Sequence, residues 1–173
     1  MFTTRARILV TGLFVVMLAI TLYLRVYPLA AVAVLFIAML VWGYFKQGTI
    51  VLAAKAFHQK DYAEAENLLK QVPKAEWLSK RRRGFYEFIY GGICLQKREY
   101  EEAEQHYELA AQYPLRSAND HVAALVHVAN INVRNGNYEK AKAYLQLTQK
   151  HRDNITAKMK DVILKVEQEL NKH

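Results

Sequence analysis

The chain contains no acidic residue before Asp61 and a single cysteine, Cys94, in 173 residues. One cysteine agrees with a reducing compartment. On the packing face of a helix it reads as a small buried hydrophobe rather than a nucleophile. Metal-binding patterns are missing as well. The six histidines are scattered, His121 and His127 stand six apart and cannot share a helical face, and no His, Cys or carboxylate cluster has ligand spacing. Gly91-Gly92 falls within a helical pattern rather than after a strand, which excludes a phosphate-cradling loop. Asn154-Ile155-Thr156 has the form of a glycosylation sequon but carries little weight in a chain expected to face the cytoplasm. No catalytic residue stands out, so neither enzymatic activity nor a metal or cofactor is expected.

What is present divides unevenly. The 53% apolar content is concentrated early, with no charged residue from Ile8 to Leu24 and none from Val26 to Phe45. As a helix the first run would be about 26 Å long, near the lower limit for a hydrocarbon core of about 30 Å. Arg25-Val-Tyr-Pro28 is too short to fold by itself, and Pro28 suits a turn or the first position of a helix. These features predict a transmembrane hairpin over 1–45, with helices at about 8–24 and 28–45. Tyr23 and Tyr27 would lie at its tip and Trp42, Tyr44 and Phe45 at its other end, as interfacial belts require. Ala31-Val-Ala33 imitates a signal-peptidase site but lies inside the second run, which argues against a cleaved leader. Arg5 and Arg7 precede the hairpin, Lys46, Lys55 and Lys60 follow it, and only Arg25 lies in the loop. The expectation is an integral membrane protein, of the bacterial inner membrane, with both termini cytoplasmic. The bilayer would then be a partner.

Beyond residue 46 the composition turns polar and a repeat emerges. Asp61-Tyr-Ala-Glu-Ala, Glu99-Tyr-Glu-Glu-Ala and Asn137-Tyr-Glu-Lys-Ala place Tyr62, Tyr100 and Tyr138, and Ala65, Ala103 and Ala141, at intervals of 38 residues. Nine residues before each tyrosine stands a small residue: Ala53, Gly91 and Ala129. Three copies at one period predict an array of helical hairpins. The small residues let a first helix approach a second closely, with the alanine as counterpart. Lys97-Arg-Glu99 and Asn135-Gly-Asn137 mark the turns between them. The tyrosines and alanines are therefore packing positions.

At these residues the chain resembles the tetratricopeptide repeat (TPR) family, over about 47–173. The resemblance implies an all-α fold in which the hairpin is followed by an α-solenoid of three helix pairs, at about 47–76, 79–114 and 118–151 within a domain over 46–173. A solvating cap helix would span 154–171. The period of 38 exceeds the commoner 34. Thr49, Glu87 and Leu125 replace the family's first-helix tryptophan, and the terminal proline is displaced to Pro73 and Pro114. Ligands of the family often lie in a concave groove lined by first helices. That habit points to Phe85, Phe88, Leu95 and Gln96 in repeat two and to Val126, Asn130, Val133 and Arg134 in repeat three. Most are apolar or neutral, which favours an apolar peptide or helix over an acidic tail. The alternative is that such side chains pack against neighbouring repeats or the cap. The family's basic carboxylate clamp is not reproduced.

The strongest charged feature is Lys80-Arg81-Arg82-Arg83. Near a helix start these charges oppose the helix dipole, and anionic lipid headgroups are a candidate ligand, at about 1 kcal/mol per basic residue near a surface. A solvated loop is the alternative. With Asp and Glu interleaved elsewhere, nucleic acid is not expected. The functional expectation is a membrane-anchored protein-interaction module, acting as a scaffold or assembly factor. The alternative is a permanent subunit of an integral membrane complex, with Ala30, Ala31, Ala33 and Ala38 allowing close contact of its hairpin with other helices.

Overall fold

A computed structural model describes residues 4–172, with side chains described at 10, 12–39 and 49–172. Among the described residues the fold is all-α: α1 (Thr4–Tyr23), α2 (Tyr27–His58), α3 (Tyr62–Lys70), α4 (Lys80–Lys97), α5 (Tyr100–Gln112), α6 (Ala118–Arg134), α7 (Tyr138–Thr148) and α8 (Ala157–Leu170). Short 3-10 segments occupy Ala75–Trp77 and Gln149–Asn154. The chain divides into two compact units, Met1–Thr49 and Ile50–His173, and the division falls within α2.

In the first unit, Ala33 is fully buried and Ala30 nearly so, and Phe14 stacks on Phe36 with ring centroids 5.3 Å apart. Thr21 satisfies its hydroxyl by donating to the carbonyls of Met17 and Leu18, both at 3.0 Å. The turn closes on Arg25, which adopts a left-handed φ of 55°, while the Val26 N–H donates to the Thr21 carbonyl at 2.9 Å.

Among the described residues no helix is long and apolar enough to cross a membrane. The expected transmembrane hairpin, the integral inner-membrane placement and the cytoplasmic orientation that rested on it are overturned by this finding. The expected belt residues Trp42, Tyr44 and Phe45, and the flanking charges Arg5, Arg7 and Lys46, have side chains outside the described residues.

The second unit is built from helix pairs. The part of α2 from Ile50 pairs with α3, α4 with α5 and α6 with α7. The turn inside each pair is the same motif: Lys60, Arg98 and Gly136 take left-handed φ of 65°, 65° and 77°. One residue on, the N–H groups of Asp61, Glu99 and Asn137 donate to the carbonyls of Ala56, Cys94 and Asn132 at 3.0, 2.9 and 2.8 Å. These bonds satisfy helix-end carbonyls in the Schellman pattern. Asp61 then caps α3 by accepting from the Glu64 N–H at 3.1 Å, as Ser117 caps α6 through Asp120.

Ala53, Ala65, Ala103, Ala129 and Ala141 are all fully buried. At Gly91 a Cβ would lie 3.1 Å from the Tyr107 ring and 3.3 Å from the Ala103 carbonyl, so a first helix approaches a second there at backbone distance. Leu69, Tyr107 and Leu145 fill the buried position one turn beyond each alanine. α8 completes the array by setting Ile163 and Val166 into a cluster with Val122, Val126, Ala129 and Val133.

Candidate functional site

On α4, Arg81, Phe85 and Phe88 follow at steps of four and three, which places them on one helical face. Phe85 and Phe88 meet residues of two other first helices around a cavity of about 270 Å³. The end of α2 contributes Ala54, Phe57 and His58, α4 adds Ile89, the segment before α6 contributes Arg116 and the cap residue Ser117, and α6 itself contributes Asp120. Its aromatic lining is held from behind. Phe88 sits edge-on to the buried Tyr107 at 5.6 Å, and Phe57 edge-on to Tyr62 at 5.5 Å. A Cβ at Gly92 would lie 2.5 Å from Phe57 Cζ, so the Phe57 ring takes its position because position 92 carries no side chain.

The other residues expected in the groove lie elsewhere. Val126 and Val133 are buried in the cluster beneath α8. Leu95 is half-buried against the cluster of Tyr107, Ala124 and Val128, and Gln96 is exposed. Asn130 is half-buried, and Arg134 lies over the Tyr100 ring at 5.1 Å. Phe57 was not anticipated, although it stands 38 residues before Leu95 and so occupies the same repeat position. Arg116 and Asp120 gave no such signal.

The basic run at the start of α4 is not uniform. Lys80 and Arg81 are exposed and Arg82 half-buried. Arg83 turns inward: its Nε lies 2.5 Å from Oε1 of Glu87, a carboxylate only 1% exposed. His106 Nδ1 lies 2.6 Å from the other oxygen, Oε2, and Tyr90 stacks on the His106 ring at 4.6 Å. Glu87 occupies the place of the family's tryptophan and joins α4 to α5 through its contact with His106. Lys74, nearby, lies over the Trp77 ring at 4.9 Å.

Charge is segregated by the role of the helix. The first helices, taken as 50–58 of α2 with α4 and α6, carry seven Lys or Arg and two acidic residues, whereas α3, α5 and α7 carry seven Glu and three Lys. Several of those glutamates bind neighbouring elements. Glu66 meets Lys70 at 2.8 Å and Lys97 at 2.6 Å, and these ammonium groups, Lys70 first, hold its carboxyl below the usual range. Glu104 meets Lys140 and accepts from Asn132 Nδ2 at 2.8 Å. Glu108 meets Lys140 and accepts from the Tyr144 hydroxyl, both at 2.9 Å. No such partner among the described residues engages Lys55, Arg81 or Arg116.

Cys94 is buried, and its Sγ lies with carboxylate oxygens of Glu99 and Glu102 within 4.8 Å of one another. Burial, followed by the charge of Glu99, pushes the thiol up to about 11.

Comparison with known proteins adds one finding. A family model described as the SusR N-terminal TPR domain matches residues 45–164. No curated protein and no solved structure matches the chain.

Proposed function

We propose, from the premise that the chain belongs to the SusR N-terminal TPR domain family, that it is a non-catalytic protein-interaction module acting as a scaffold through the groove between its first helices. The observation that carries this reading is the cavity formed by Phe57, Phe85 and Phe88 from consecutive repeats. At about 270 Å³ it falls below the roughly 300–1,000 Å³ of small-molecule sites. It suits one large apolar side chain of a partner polypeptide. A buried apolar anchor within a polar rim is the usual energetic centre of a protein interface.

The test is capture with the tagged full chain, set beside a variant carrying Phe85→Leu and Phe88→Leu whose melting midpoint is measured in parallel. Specific proteins recovered with the parent and lost with a folded variant are the expected outcome. Undiminished recovery by a folded variant sinks the groove as the binding surface.

A further inference from the structure

We propose that the segment bound in this groove is acidic and presents one large apolar side chain between its carboxylates. This rests on the reading of the groove as the partner-binding surface and adds the charge of the partner to it. Shape fixes the apolar element: the Phe57, Phe85 and Phe88 pocket accepts one side chain. Charge fixes its surroundings. Arg116 lines the cavity and is exposed. Arg81 is exposed one helical turn from Phe85, on the same face, and Lys55 is exposed one turn before His58, which also lines the cavity.

Three cations of the first helices are engaged elsewhere. Arg83 is spent on Glu87, Lys97 on Glu66 and Arg134 on the Tyr100 ring. The cations near the cavity have no such partner among the described residues, while the glutamates of the second helices are drawn into pairs with neighbouring elements. Holding like charges unpaired around an apolar pocket has an electrostatic cost that an acidic ligand offsets. Such rim charges raise the association rate and set partner choice.

Asp120 also lines the cavity; it disfavours any anion set directly against it, so the carboxylates of the segment fall toward Arg81 and Arg116, and a backbone N–H of the segment can donate to Asp120. The binding element is therefore a short acidic stretch of protein with an embedded Phe, Leu or similar residue.

The test uses fluorescence anisotropy with the full chain and labelled synthetic peptides about twelve residues long. One carries Glu and Asp on both sides of a central Phe, a second has Ala in place of Phe, and a third has Lys in place of every acid. A single-stranded RNA of similar length and charge serves as the competing polyanion. The acidic Phe peptide is expected to bind and to weaken about tenfold in the Arg81→Glu, Arg116→Glu variant and on raising salt from low to physiological strength. The Ala peptide is expected to bind at least about tenfold more weakly than its Phe counterpart. Both reversed residues are exposed, and circular dichroism checks that the variant stays folded.

Equal binding of the Lys peptide, indifference of the acidic peptide to charge reversal, or RNA binding as tight as the peptide each overturns the proposal. So does failure of the acidic Phe peptide to bind. Binding of the Lys peptide that is lost with Phe85→Leu, Phe88→Leu would leave the groove reading standing and remove only the acidic partner. Capture unaffected by the phenylalanine changes would remove the groove reading itself.

Discussion

Glu87 is the residue whose role departs furthest from its appearance. A charged residue stands where the family has a tryptophan, and its carboxylate is buried, with Arg83 on one oxygen and His106 on the other. Removing one member leaves charge uncompensated in a covered site, which costs about 3–5 kcal/mol, whereas replacing the ion pair by apolar residues of similar volume is often near neutral. Glu87→Ala is expected to lower stability by about 3 kcal/mol, and Glu87→Leu with Arg83→Met to recover most of it, as read from urea midpoints. A single variant as stable as the parent would remove the ion pair from the fold's energetics. His127 contributes to the acid limb of stability. It stacks on Tyr107 at 4.5 Å, and burial lowers its pKa to about 4, below the unfolded value of about 6.5. The folded state thus binds fewer protons than the unfolded state between these values. The contribution is complete above about pH 6.5 and is lost as pH falls toward 4, by at most about 1.4 kcal/mol per pH unit. His121 titrates in the same direction through burial and then His151. His127→Phe is expected to flatten the decline between pH 7 and pH 5, measured by denaturant midpoints at each pH.

At the scale of elements, the 38-residue phasing was legible because the contacts behind it are local. A small residue on a first helix meets an alanine and a large residue on the second within one hairpin, and the same demand recurs in each copy. Groove and core were not distinguishable in the same way. Val126 stands 38 residues after Phe88, yet the face that bounds a cavity at Phe88 is covered by α8 at Val126, a difference set by the neighbour rather than by the helix. Arg83 was read with the basic surface run although its partner Glu87 stands one turn on in the same helix; what buries the pair is the neighbouring helix, which brings His106 to the other Glu87 oxygen. The left-handed turn was legible at Gly136 alone; Lys60 and Arg98 stand in phase with it but carry side chains. A non-glycine residue in this conformation costs roughly 1 kcal/mol. Arg98→Gly is expected to raise stability by about 0.5–1 kcal/mol, and Gly136→Ala to lower it by about 1 kcal/mol. No atom lies within 4 Å of a Cβ at Gly136, so that loss is purely conformational. Opposite signs in thermal melts of the two variants check the argument, and equal signs defeat it.

At the scale of the whole chain, the two units present different surfaces. The first leaves Leu13, Leu24, Leu35 and Met39 more than half exposed, an apolar surface of the sort that marks a contact surface. The second is a row of hairpins whose clusters pass from one pair to the next: Ala53 to Ile93, Cys94 to Ile131, then Val122 to Val166. In such a row each pair is stabilised by itself and by its nearest neighbours, so a local loss spreads unevenly. α8 provides the test, since Ile163 and Val166 cover α6 and α7 at the end of the row. Ile163→Ala is expected to cost about 2–4 kcal/mol through lost burial and the cavity left behind. If stability is a sum over neighbours, amide exchange in α6, α7 and α8 accelerates while α4 and α5 retain most of their protection. Uniform acceleration across all five helices would instead mean that the second unit opens as one cooperative body, with the ion pairs of Glu66, Glu104 and Glu108 coupling hairpins that the apolar clusters alone would leave semi-independent.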